Sequence, residues 1–155
     1  MNETTKHDKT SSAYKAVMKA ARHLSAHRVG MAANRITSGI DWRGCSKSHI
    51  VLSLLNGRHN RFTKTGEPVE RLTYAFETFP NSKGEIALTE QCRERAEAEL
   101  AKKSALLAEL EKKNIAYKTK HNRTNYAFEN RIPGVRRRVH RLEDALAKLD
   151  KSREG

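Results

Sequence analysis

The chain has 155 residues, 37% of them hydrophobic, 6% aromatic and 32% charged. That is enough apolar material for one modest core and more charge than a thick globule carries, so long, solvated helices are favoured. Thirty-one Lys and Arg against 18 Asp and Glu leave a net charge of +13. Such an excess favours polyanionic partners, because each phosphate that a cation neutralises releases condensed counterions. Cys45 and Cys92, far apart in the chain, provide neither a disulfide framework nor a metal-ligand spacing. No run approaches the ~20 apolar residues of a membrane span, so the expected setting is cytoplasmic, nucleoid-associated if the partner is DNA, with no membrane contact.

Residues 1–12 are polar, lack the apolar core of a signal peptide and read as a flexible N-terminus. Ser11 or Ser12 can cap a first helix, in which Tyr14, Val17, Met18, Ala21 and Leu24 form an apolar stripe while Lys15, Lys19 and Arg22 fall largely off it. Val29 to Ile36 predicts a second short helix, with Gly39 as its stop. Ile40 and Trp42 read as anchors that fix the following loop to the core. Ser46 is placed to cap a third helix carrying Ile50, Val51, Leu54 and Leu55 and stopping at Asn56-Gly57, with Lys47, Ser48 and His49 in its first turn. Arg58, His59, Asn60, Arg61 and Lys64 then crowd together ahead of the turn signal Thr65-Gly66-Glu67-Pro68. Beyond it Leu72, Tyr74 and Phe76 alternate with Arg71, Thr73 and Glu77, the pattern of a half-buried strand; Phe62 would sit on its partner strand.

Helices followed by a basic turn and a strand pair, over residues 13–79, resemble the winged helix-turn-helix superfamily of DNA-binding domains. The resemblance is one of order and architecture. It implies a recognition helix at Ser46–Leu55, whose N-terminal residues would enter a groove, and a wing at Arg61–Phe76. Lys47, Ser48 and His49 would then reach the groove, beside the cap Ser46, while Arg43, Arg58, Arg61 and Lys64, with His59 and Asn60 among them, would lie along phosphates. The loop from Ser38 to Cys45 is longer than the tight turn of that superfamily.

Residues 80–87, around Pro80 and Gly84, read as a linker. Leu88 to Lys120, rich in Ala, Glu, Lys and Leu, predicts a rod of roughly 45–50 Å. Its heptad seam runs through Ala96, Leu100, Lys103, Leu107, Leu110, Asn114, Tyr117 and His121; a buried Asn114 would set register at a cost in stability, and an exposed Asn near a fraying end explains the residue equally well. Residues 121–134, with Ile132-Pro133-Gly134 as a stop, predict a break. Val135, Val139, Leu142, Leu146 and Leu149 then form a two-heptad seam on a last helix, Val135 to Lys151. Arg136, Arg137, Arg138 and Arg141 crowd what would be its first turns, where the helix dipole favours anions, so an external anion is expected to compensate them. The tetrapeptide Tyr-Ala-Phe-Glu occurs at both 74–77 and 126–129, in unlike surroundings that argue against a repeat.

By segment the net charge is +7 over residues 1–79, +1 over 80–119 and +5 over 120–155, which directs attention to the two ends. His23 and His27 have the i, i+4 spacing of metal ligands, but no third ligand stands near them in sequence. With no catalytic constellation or phosphate-cradling glycine loop, the chain reads as a non-enzyme without metal or cofactor. The expectation is therefore a mainly α protein with a small β-hairpin, built as a winged-helix-like domain at 13–79 and a helical hairpin or coiled-coil extension at 88–155. Its expected role is that of a regulatory or accessory protein binding duplex DNA, with RNA possible. The seam of Leu100, Leu107, Leu110, Val135, Val139, Leu142, Leu146 and Leu149 would be closed within the chain, by a second copy in a homodimer or by a helical protein partner. The alternative is an interaction protein, a subunit or inhibitor, that docks on an acidic protein or nucleoprotein complex through this extension.

Overall fold

The computed structural model describes residues 7–37, 39–57 and 67–154. It divides into two compact units, 1–87 and 88–155. Among the described residues the regular structure is six α-helices and one 3₁₀ turn, with no strand.

The first unit packs α1 (Ser12–Ala20), α2 (Ala26–Ile36), α3 (Lys47–Asn56) and α4 (Val69–Glu77) around one core. Three of the four helices start on a serine whose hydroxyl accepts an otherwise unpaired backbone N–H. Ser11 takes that of Tyr14, Ser25 that of Arg28 and Ser46 that of His49. Val17, Val29, Ile50, Val51, Leu72 and Phe76 are fully buried. Trp42 is 6% exposed and holds the 39–45 loop against α2. Gly30 permits that approach, because a Cβ there would stand 3.1 Å from the Trp42 Cβ. Asn56, at the end of α3, exchanges two hydrogen bonds with the backbone of His7 (2.7 and 2.9 Å) and so ties down the start of the described chain.

The expected wing is corrected here. Residues 69–77 form α4, so a winged-helix domain with a β-hairpin is not seen. The alternation of Leu72, Tyr74 and Phe76 carries less than the spacing Val69, Leu72, Thr73, Phe76, Glu77, which covers one helix face. Leu72, Thr73, Phe76 and Glu77 are buried on it, whereas Tyr74 is only half-buried. Thr73 and Glu77, assigned outward by a strand reading, point inward. The other expected strand and the basic cluster Arg58, His59, Asn60, Arg61 and Lys64 lie outside the described residues.

Residues 80–87, expected as a linker, group with the first unit, as does Phe79 before them. Phe79 belongs to the core, Arg28 donates to the Pro80 carbonyl (3.2 Å), and the Asn81 side chain accepts from the backbone of Lys83 and Glu85.

The second unit is an antiparallel hairpin of two 29-residue helices, α5 (Arg93–His121) and α6 (Tyr126–Glu154); at ~1.5 Å per residue each is about 43 Å long. Asn122 closes α5 in the left-handed conformation (φ 50°), a state Asn tolerates better than most residues, and its N–H bonds the Lys118 carbonyl. The Asn125 side chain then accepts from Ala127 N–H to open α6. The break expected over 121–134 is thus only four residues, 122–125. Pro133 lies inside α6 rather than ending it. A mid-helix proline costs roughly 3 kcal/mol in propensity, and the packing of Ile132, Val139, Leu142, Ala145, Leu146 and Leu149 outweighs it. The seam is closed by the helix that precedes it: Leu110 is buried against the hairpin, and Leu100, Leu107 and Val135 are half-buried.

Candidate nucleic-acid interface

The residues expected to touch nucleic acid have unequal standing in the fold. Arg43 and Asp41 form an exposed bidentate pair (2.9 Å), and Arg43 draws the Asp41 carboxyl down to about 2. Ser46 is occupied as a cap. Lys47 does not project outward: its Nζ donates to the Ala21 carbonyl (3.1 Å), placing a cation at the negative end of α1, and burial lowers its pKa. Ser48 is half-buried and His49 is exposed. No first-turn lysine of α3 is therefore left for a groove.

The arginines of α6 are not at a helix start. Because α6 begins at Tyr126, residues 136–141 lie in its middle turns, and the reasoning from the helix dipole does not apply to them. Arg136 reaches Glu111 (2.8 Å) and Arg138 reaches Glu99 (2.7 Å), both on α5. Arg141 is half-buried, and Arg137 is exposed.

The ion pairs across the hairpin expose a feature that segment counts conceal. At the end away from the loop, Arg93 bridges Glu90 and Asp150, and Arg153 joins Glu90. Residues 88–111 and 138–155 together hold nine Lys and Arg against ten Asp and Glu. Residues 112–137, the loop and the turns flanking it, hold eight Lys and Arg against one acid, Glu129. Glu129 is taken by Lys118 (2.6 Å) and Asn114 (3.1 Å), which together hold its carboxyl below the usual glutamate range. Lys113 and Arg136 are paired with Glu109 and Glu111. Lys112, Lys120, Arg123, Arg131 and Arg137 are exposed and have no carboxylate partner among the described residues. The boundary at residue 119/120 used for segment counting splits this cluster, which is why it was not visible in the sequence. Windows that followed the hairpin would have found it.

Aromatic groups accompany the charge. Tyr126, first residue of α6, is 74% exposed, and the Tyr117 and His121 rings meet at 4.4 Å. In the first unit, the 39–45 loop and α2 frame an open groove of about 520 Å³ lined by His27, Met31, Asn34, Trp42 and the Asp41–Arg43 pair. His23 is tied to the Phe79 carbonyl (2.9 Å) and does not form a ligand pair with His27. Among the described residues no three metal-ligating side chains converge, and no helix is long and apolar enough to cross a membrane.

Comparison with family models, curated proteins and solved structures finds no match.

Proposed function

We propose that the protein is a non-enzymatic, cytoplasmic nucleic-acid-binding protein that holds phosphates at the loop end of the α5–α6 hairpin. The observation that carries this reading is the charge polarity of the hairpin: a nearly balanced far end and a loop end with five exposed cations that have no carboxylate partner among the described residues. Like charges held together repel one another, and an arriving phosphate chain relieves that repulsion while releasing its own counterions. The five cations come from both helices and the loop, so a phosphate chain crossing the hairpin end meets several at once.

Binding should therefore weaken steeply with salt. If the five cations each neutralise a phosphate, log affinity should fall linearly with log salt concentration with a slope of about −3 to −5. Replacing Lys112, Lys120, Arg123, Arg131 and Arg137 together by Gln should flatten that slope and remove most of the affinity at low salt. A labelled oligonucleotide followed by fluorescence anisotropy measures both. Undetectable binding at low salt, or an unchanged slope in the five-fold variant, refutes the reading.

A further inference from the structure

The α6 helix breaks the rules of helix composition at two adjacent positions, and nothing in the packing accounts for either. Pro133 forfeits a backbone hydrogen bond and Gly134 adds conformational entropy to the unfolded chain, yet both are exposed within an otherwise regular helix. A Cβ built at Gly134 meets nothing within 4 Å, so no neighbour in the protein requires a glycine there, and its backbone is helical rather than left-handed. Departures from local propensity that no contact requires, and that the rest of the fold has to offset, are expected where a chain meets something outside itself.

The spacing shows what these two residues share. Tyr126, Asn130, Pro133 and Arg137 follow one another at i, i+4, i+7 and i+11, which is one line along a helix. All are exposed, and the opposite face carries the buried Ile132, Val139 and Leu142. The line begins at a bare phenol ring, continues through an amide, is flattened at Pro133-Gly134 and ends at an unpaired guanidinium, with no acid along it. A surface that only attracted phosphate would need the cations and neither the ring nor the flat step. An exposed aromatic ring offers a face on which any unpaired base can stack, whereas paired bases are already stacked on one another.

We infer that the Tyr126–Arg137 line of α6 is a contact lane for nucleic acid with unpaired bases. A base stacks on Tyr126, Asn130 offers hydrogen bonds to an exposed base edge, the strand passes closely over the bare backbone at Gly134, and Arg137 holds a phosphate beyond it. This inference rests on the nucleic-acid reading above, and adds to it which strand state is bound and by which groups.

Two substitutions in the full-length chain test it. Gly134→Leu restores a strong helix former at an open position and obstructs the lane, so it should raise the melting temperature while weakening binding of a single-stranded oligonucleotide at least tenfold. That opposition of stability and affinity is something a merely structural glycine would not produce. Tyr126→Ala should cost roughly 5- to 150-fold in single-strand affinity, the range for loss of one stacked base. A single-stranded DNA, a single-stranded RNA of the same sequence and the corresponding DNA duplex serve as probes in anisotropy titrations at one salt concentration. Tighter binding of the single strands than of the duplex, lost selectively in both variants, is the expected result; the DNA and RNA arms show whether the sugar matters. Wild-type single-strand affinity in both variants, or duplex binding as tight as single-strand binding, overturns the lane. If binding nevertheless fails in the five-cation variant, the broader proposal survives without the lane; if no probe binds the wild-type protein, both fall.

Discussion

His23 shows how one side chain is committed by its surroundings. Its Nε2 meets the Phe79 carbonyl, an acceptor, so the ring is held as the Nε2–H tautomer, while Nδ1 is buried with no hydrogen-bond partner among the described residues. Burial, joined by the nearby cations Arg22 and Lys47 and opposed by the Phe79 bond, lowers its pKa from 6.5. When the folded pKa lies below the unfolded one, the unfolded chain takes up the proton first. The His23 contribution is therefore complete above the free-imidazole range and is lost as pH falls below it. The melting temperature of the first unit should decline from about pH 7 toward pH 5, and His23→Gln should flatten that decline; an identical decline in the variant would contradict the assignment. Glu77 is a second unusual residue: its side chain is fully buried, and neither carboxylate oxygen is bonded to a described residue. It shares the buried face of α4 with Leu72, Thr73 and Phe76.

At the scale of elements, two readings of sequence failed for different reasons. The stretch 69–77 fits both a period of two and a period near 3.6, and short apolar runs of this kind are not separated by pattern alone. Packing of α4 against α1 and α2 selects the helix, and the buried Thr73 and Glu77 are the residues that mark the choice. Pro133-Gly134 is a strong local stop, but the apolar seam continues on both sides of it, and the cooperative burial of that seam on α5 exceeds the local penalty. The seam of α5 was legible, but whether Asn114 is buried or exposed was left open by the sequence. That residue is buried and donates to Glu129 across the hairpin (3.1 Å), and its own Oδ1 has no hydrogen-bond partner among the described residues. A polar group in that position favours one register at the expense of stability. Replacing it with leucine should add apolar burial and remove an unsatisfied oxygen, while Glu129 keeps Lys118. Asn114→Leu is expected to stabilise the hairpin by about 1 kcal/mol, read as a higher midpoint in circular dichroism melts. A lower midpoint would show that the bond to Glu129 is worth more than the burial.

Over the whole molecule the dominant quantity is the excess of 13 positive charges. The ion pairs that the fold makes are mostly exposed, and pairs of that kind contribute only a few tenths of a kcal/mol up to about 1 kcal/mol. Repulsion among the surplus cations is spread over many pairs and relaxes on unfolding, so salt should act mainly by screening it. The protein alone should melt at a higher temperature in about 0.3 M NaCl than in about 20 mM NaCl, since the Debye length falls from roughly 20 Å to roughly 6 Å. A melting temperature that falls over the same range would mean that the ion pairs outweigh the repulsion. The residues expected to bind nucleic acid differ in what the fold leaves free. Lys47 and Ser46 are engaged at helix ends and Arg136 and Arg138 by glutamates of α5, while the exposed Lys112, Lys120, Arg123 and Arg131, outside that expectation, are gathered only by the hairpin.

The tetrapeptide Tyr-Ala-Phe-Glu, present twice, separates what local chemistry settles from what folding adds. Both copies are helical, although residue order suggested a strand for the first and a break for the second; the serine caps at Ser11 and Ser46, the heptad seam and the absence of a membrane-length apolar helix among the described residues do follow from residue order. Their environments do not follow from it. In α4 the tetrapeptide sits on a four-helix core, and its glutamate is fully buried without a bonded partner among the described residues. In α6 it opens one arm of a two-helix hairpin, so its tyrosine is 74% exposed and its glutamate pairs with Lys118. A short segment limits its backbone to a few states through interactions within a turn or two, which left 69–77 open to a strand and a helix alike. Which of its faces is buried, and which cations it stands among, depends on segments tens of residues away, and only the folded chain brings those together.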